Sequence, residues 1–220
     1  MISQFFSSAA PAVLLQEPGT VGVVRYDGEP FGSPLSGCIS VGLPALSDAS
    51  CEVIRIDSRD ILRGCDGRVQ WSCGGEVMLA ALSLAPAQCE QIEQAAQSAY
   101  QDLFAVLKRK GHPNVFRLGN FLPQINRGDG DAEVYKRFCV GRERGFAASG
   151  IDARCYPAAS ALGHRLPGAV IYALASATPV VHHENPRQQP AYRYPREYGP
   201  SSPSFARASS IDLGGSRHIF

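Results

Sequence analysis

AQCEQIEQAAQSAYQDLFAVLKRKGHPNVFRLGNFLPQI, residues 87–125, changes its period partway along. From Ile92 the apolar residues recur at helical spacing, through Ala96, Ala99, Leu103 and Val106. Pro86 suits the first turn of that helix, where its missing N–H is not needed. Lys108, Arg109 and Lys110, followed by Gly111, mark its end: cations favour the negative end of the helix dipole, and glycine permits the left-handed residue that stops it. NVFRLGNFLPQI (114–125) then reads as a strand.

Working outward, a second helix is expected from near Asp131 through Val134, Phe138 and Cys139 toward Ala148. YPAASAL (156–162) and AVIYALASA (169–177) read as further strands. Upstream, TVGVVRYD (20–27), CISVGLPAL (38–46), CEVIRIDS (51–58) and GRVQWSCGGEVMLAALSL (67–84) are apolar, β-branched runs broken by Gly, Pro, Asp and Ser. From His182 the chain turns irregular until SIDLGGSRHIF (210–220), which looks like the opening of a hairpin. Strands, helix, strand, helix, strand is most economically satisfied by an α+β fold: a mixed sheet with helices on one face.

The 220 residues are 45% hydrophobic with a formal net charge of +1, enough for a real core but without the basic excess of a nucleic-acid or membrane-surface binder. No apolar run is long enough to span a bilayer. MISQFFSSAAPAVLLQEPG (1–19) has no basic residue ahead of its apolar patch, so it reads as an N-terminal extension of a cytoplasmic chain. Cysteines 38, 51, 65, 73, 89, 139 and 155 are scattered without a CxxC pair and read as free thiols. His182, His183 and Glu184 resemble a metal cluster only by composition, because adjacent residues in extended chain point apart. GRERG (141–145) and CGGE (73–76) lack a phosphate-loop pattern. Cys139 and Cys155 have no histidine at a diagnostic spacing, so packing is preferred to nucleophilic catalysis. No metal or cofactor is expected.

The element order over 70–177 resembles a RidA (YjgF-like) module, and FARASSIDLGGSRHIF (205–220) resembles the opening of a second one. This implies an extension over 1–19, a RidA-like domain over 20–180, a Pro/Tyr/Arg-rich linker over 181–204, and the start of a truncated second module over 205–220. An apolar strand ending at Ile219 and Phe220 would then lack a partner, which a second chain or self-association could supply.

Three phrases together are more specific: YKRFCVGRERGF (135–146), NPRQQPAYRYPREYGPSSPSFARA (185–208), and a YPAA stretch (156–159) between them. They resemble the chorismatase family over most of residues 20–220. The resemblance implies cofactor-free, acid-catalysed cleavage of chorismate to pyruvate plus a hydroxybenzoate or a dihydroxycyclohexadienoate. The family's glutamate acid is expected beyond Phe220, and Ser201 stands where the family phrase usually has arginine. Neither Glu184 nor Glu197 matches that acid.

Chorismate carries two carboxylates, and arginine binds a planar carboxylate through paired hydrogen bonds better than lysine does. Arg142 and Arg207 match family positions and are the expected carboxylate clamps, with Tyr198 as a phenolic partner. The blander readings are a helix-surface ion pair for Arg142, an edge-strand charge for Arg207 and packing for the tyrosines, the last preferred for Tyr192 and Tyr194. The alternative function is a non-catalytic RidA-like binding or scaffold module. A third reading, a pterin site, has no residue to support it.

Overall fold

The computed structural model describes residues 1–29 and 36–220. Its centre is a six-stranded sheet in the order β5-β6-β7-β10-β8-β9. The strands are β5 (Leu62–Asp66), β6 (Val69–Gly74), β7 (Val77–Leu84), β8 (Asn114–Pro123), β9 (Ala158–His164) and β10 (Ala169–Ser176). β8 and β9 run parallel, and the other neighbours are antiparallel. The sheet is therefore mixed, as the element order suggested.

Every residue of β10 is buried, because both faces of the sheet are covered. Ala169, Ile171, Ala173 and Ala175 face α3 (Ile92–Arg109) and α4 (Val134–Ala148), which lie together on one side. Three alanines on that face let the helices come close. Val170, Tyr172 and Leu174 face the other way, onto a second sheet. That sheet has the order β1-β4-β2-β3, built from β1 (Ile2–Ser7), β2 (Thr20–Arg25), β3 (Cys38–Ser40) and β4 (Cys51–Ile56). Two single-turn helices, α1 (Pro11–Leu14) and α2 (Pro86–Cys89), each begin with proline in the first turn.

The expected helices at 92–110 and 131–148 are present, the second preceded by a 3-10 turn at Gly130–Ala132. β1 and β5 were not anticipated. The N-terminal extension is thus a paired edge strand, with Ile2 opposite Ile56 and Ser7 opposite Cys51.

A third sheet, β11-β12-β13, consists of β11 (Val180–His183), β12 (Ala208–Leu213) and β13 (Ser216–Ile219). Gly214 and Gly215 both take positive φ (58° and 78°) in the two-residue turn of the β12–β13 hairpin, the geometry a tight hairpin demands. The terminal strand is not partnerless: β13 pairs with β12, and Phe220 packs its ring 4.5 Å from that of Phe116. Ile219, 71% exposed, stays uncovered. Ile211 and Leu213 enter the same core cluster as Ile2 and the inner face of the β1–β4 sheet. The two ends of the chain meet there, where the Ile2 N–H donates to His218 Nε2 (3.5 Å).

Candidate functional site

The irregular segment between β11 and β12 wraps over α4 and β9 as a braced strap. Short 3-10 turns form at Ala191–Arg193 and Arg196–Tyr198, each preceded by a proline whose φ is already near its required value. Arg196 reaches back to Asp131 in a two-pronged ion pair (Nη1 to Oδ1, 3.0 Å). Ser201 donates to Glu143 of α4, and Ser202 donates to the Tyr194 carbonyl (2.7 Å). Tyr192 sets its edge against Tyr156, 6.0 Å between centroids. The Ala206 N–H closes the strap onto the Pro157 carbonyl (3.0 Å).

Arg207 follows at the start of β12. Its N–H donates to the His183 carbonyl (3.0 Å), so Arg207 stands across the ladder from Glu184. The exposed guanidinium does not pair with that acid. It donates to the Tyr194 hydroxyl (2.7 Å) and sits 5.4 Å from the Phe205 ring centre. Tyr194 in turn lies 5.4 Å from Tyr198, which is 60% exposed. No carboxylate lies within 4 Å of Arg207 among the described residues. Glu184 Oε2 is buried without a hydrogen-bond partner among the described residues. Burial pushes its carboxyl above the usual range, and the Arg207 charge pulls it partly back.

Arg142 lies elsewhere. α4 can approach α3 closely because Gly141 and Gly145 face it: a Cβ on Gly141 would stand 2.1 Å from the Glu93 carbonyl oxygen. Arg142, between those glycines, is only 1% exposed. Among the described residues its Nε and Nη2 have no hydrogen-bond partner, and the guanidinium sits 5.5 Å from the Phe138 ring. Beside it the Tyr100 hydroxyl is pushed up to about 12 by burial, with the Arg142 charge opposing. Tyr100 donates to Asn120 Oδ1 (2.5 Å), and Asn120 donates to the Ser160 carbonyl (2.9 Å). The structure brings Tyr198 and Arg207 together around Tyr194 and leaves Arg142 inside the helix layer. Tyr194, read from sequence as packing, is the hub of the exposed group. Only its register against Arg207 could have revealed that.

His182 and His183 face opposite sides of β11: His182 Nδ1 meets Ser209 Oγ (2.9 Å), and His183 Nε2 meets Ser210 Oγ (2.7 Å). Cys139 is buried, and burial raises its thiol, the Arg142 charge opposing. Cys155 is exposed.

A family model described as chorismatase FkbO/Hyg5-like, N-terminal, matches residues 52–175. A 3-hydroxybenzoate synthase of Streptomyces hygroscopicus is 42% identical over 120 residues, covering 54% of this chain and 35% of the relative. A chorismatase of the same organism is 31% identical over 153 residues, covering 69% and 44%. Among solved structures, a chorismatase crystal structure superposes with a TM-score of 0.88 at 25% identity, over 100% of this chain and 67% of the other. The chain spans less than half the length of these curated relatives.

Proposed function

This chain belongs to the chorismatase family, and on that ground we propose that it supplies the N-terminal part of an enzyme cleaving chorismate to pyruvate plus a hydroxybenzoate or dihydroxycyclohexadienoate. Residues 20–180 serve as the RidA-like domain, and residues 205–220 begin the second. The observation that carries this reading is Arg207. It is an exposed guanidinium with no carboxylate within reach among the described residues, braced by the Tyr194 hydroxyl and flanked by Tyr198.

A substrate carboxylate takes two N–H donors from Arg207 and a third hydrogen bond from Tyr198. Bracing by Tyr194 and the prolines of the strap limits the side-chain freedom lost on binding. Cleavage begins when an acid protonates the methylene carbon of the enolpyruvyl group. Water or an intramolecular oxygen then takes the resulting cation: added water leads on collapse to pyruvate and the dihydroxycyclohexadienoate, whereas the hydroxybenzoate outcome uses the intramolecular oxygen and takes up no net water. The acid is expected outside these residues. Arg142 is buried in the helix layer, and contact with substrate would need the strap to lift.

The test is incubation with chorismate, with mass spectrometry for pyruvate and the ring product, and calorimetry of binding. Arg207→Ala should weaken chorismate binding about tenfold or more, and Arg207→Lys should restore part of it. Equal affinity in wild type and Arg207→Ala would refute the clamp. Chorismate binding without turnover would favour the second reading, a binding module or a part completed by another chain. No helix among the described residues is long and apolar enough to cross a membrane, and we place the protein in the cytoplasm.

A further inference from the structure

β8 and β9 are the parallel pair of the central sheet, so their carboxyl ends, Pro123 and His164, emerge side by side. In open sheets, the crevice outside the carboxyl ends of parallel strands is a recurrent ligand position. Here that edge carries two joined hollows of about 190 and 510 Å³, which share Gln124, Arg127 and Arg165. They lie at the opposite end of β9 from Ala158, which bridges to Ala206 of the strap.

The rim is held rigidly. Gln124 has φ +44°, a left-handed conformation uncommon for any residue but glycine. Its N–H donates to the His164 carbonyl (2.8 Å), and its own carbonyl accepts from the Arg127 N–H (2.7 Å). The carbonyls of Ile125 and Arg127 accept from Tyr135 (3.0 Å) and Val134 (2.8 Å), so the turn satisfies free N–H groups at the start of α4. Strained backbone persists only where its surroundings fix it, and it gathers at ligand clamps.

Two guanidinium groups and one carboxylate, Glu90, line the hollows. Arg165 is exposed and has no carboxylate within 4 Å among the described residues. Arg127 meets only Glu90, at 3.6 Å between two exposed side chains, a weak and displaceable pair. His164 is buried, and burial holds its ring below its ordinary value although hydrogen bonds to the backbone of Phe121 and Leu166 pull it partly back. Ile125 lines the larger hollow and Leu166 and Pro167 the smaller, which supplies apolar surface beside the two arginines.

The geometry points to a second binding site at the carboxyl ends of β8 and β9, taking a small carboxylate with an apolar body: Arg127 and Arg165 hold the carboxylate, and Ile125, Leu166 and Pro167 cover the body. A guanidinium offers paired donors to a carboxylate and a flat face to a ring, which suits such a ligand better than a bare anion. This site is independent of the Arg207 wall.

Benzoate is the probe, titrated into the whole chain by calorimetry and by amide-detected NMR. Benzyl alcohol serves as the neutral analogue, and inorganic phosphate as an anion without a body. Saturable benzoate binding is expected, with shifts at residues 124–127 and 163–167, weakened about tenfold by Arg127→Ala and by Arg165→Ala. It should be untouched by Arg207→Ala. Both arginines are exposed, and thermal melts verify that the variants fold. Absent binding, or binding unchanged in both variants, overturns the proposal. So does loss in Arg207→Ala, which would place benzoate on the strap, or phosphate or benzyl alcohol binding as tightly as benzoate. Failure of chorismate turnover leaves this site unaffected, so the two readings fail separately.

Discussion

Replacing Gly141 by alanine should loosen the whole helix layer. In an exposed helix this change gains about 1 kcal/mol, because alanine restricts the unfolded chain and favours helix. At Gly141 the added carbon would stand 2.1 Å from the Glu93 carbonyl oxygen and 3.0 Å from Ala96 Cβ. The obstacle is backbone, so no side-chain rotation relieves it. α4 must retreat by roughly 1 Å, and a gap of that size forfeits about a quarter to a half of each dispersion contact across it. Tyr100, Phe104, Phe138 and Phe146 meet across this seam, with centroids 5.0–6.2 Å apart. Overpacking of this kind costs about 1–3 kcal/mol and sometimes more; a backbone obstacle belongs at the upper end, which outweighs the propensity gain. A net loss of about 2 kcal/mol is expected, read as a Tm lowered by about 4–8 °C in a chain of this size. Urea unfolding with an unchanged m-value would confirm that the native state, not the unfolded one, has moved. Gly145→Ala, whose carbon would meet Tyr100 Cβ at 2.8 Å, should cost less. A Gly141→Ala variant as stable as the parent would refute the close approach of the two helices.

Arg142→Met should stabilise the fold by about 1–3 kcal/mol in urea unfolding, because a buried cation lacking an acid is replaced by an apolar chain of similar reach; destabilisation by the same amount would mean the guanidinium is a structural brace. Burial lowers the folded pKa of His182, with His183 adding repulsion, so the unfolded chain takes up its proton first. Stability present above pH 6.5 should therefore fall as pH drops through the unfolded value, levelling below the folded one. Chemical denaturation at pH 7.5 and 5.5 should show a smaller difference in His182→Gln than in the parent. Glu184 shows the opposite sign, its folded value being raised mainly by burial, so its ionisation costs stability as pH rises through that value. Glu184→Gln should raise Tm at pH 7 and not at pH 4; an equal change at both would locate its effect in packing.

The helices were legible because their signals are local: Ile92 to Val106 keep one face, and Lys108 to Gly111 stop it. The hairpin after Ile211 was legible from Gly214-Gly215 for the same reason. β1 was not, since its partner β4 lies about fifty residues on and nothing within Ile2–Ser7 announces it. β5 lacks alternation and is placed by its turn to β6. The second layer over the central sheet was therefore missed, although the unbroken apolar run of β10 is what a doubly covered strand requires. At the site, the phrase carrying Tyr198 and Arg207 marked a region the fold does assemble. The depth of Arg142 was hidden because its neighbours Glu143 and Arg144 read as helix surface. Arg127 and Arg165 are nearly forty residues apart, and only the parallel register of β8 and β9 joins them.

The packing of β12 beside β1 has a consequence for biosynthesis. Ile2 leaves the ribosome long before Ile211, Leu213 and Phe220, which belong to its inner-face cover. At roughly 5–20 residues per second those partners emerge about 10–40 s later. β1 can pair early with β4, but the inner face of that sheet then waits for Ile211 and Leu213 of β12. Between the synthesis of β4 and that of β12 the inner face of the β1–β4 sheet waits for part of its cover, so yield should respond to translation speed over that interval and to chaperones that shield an apolar sheet face.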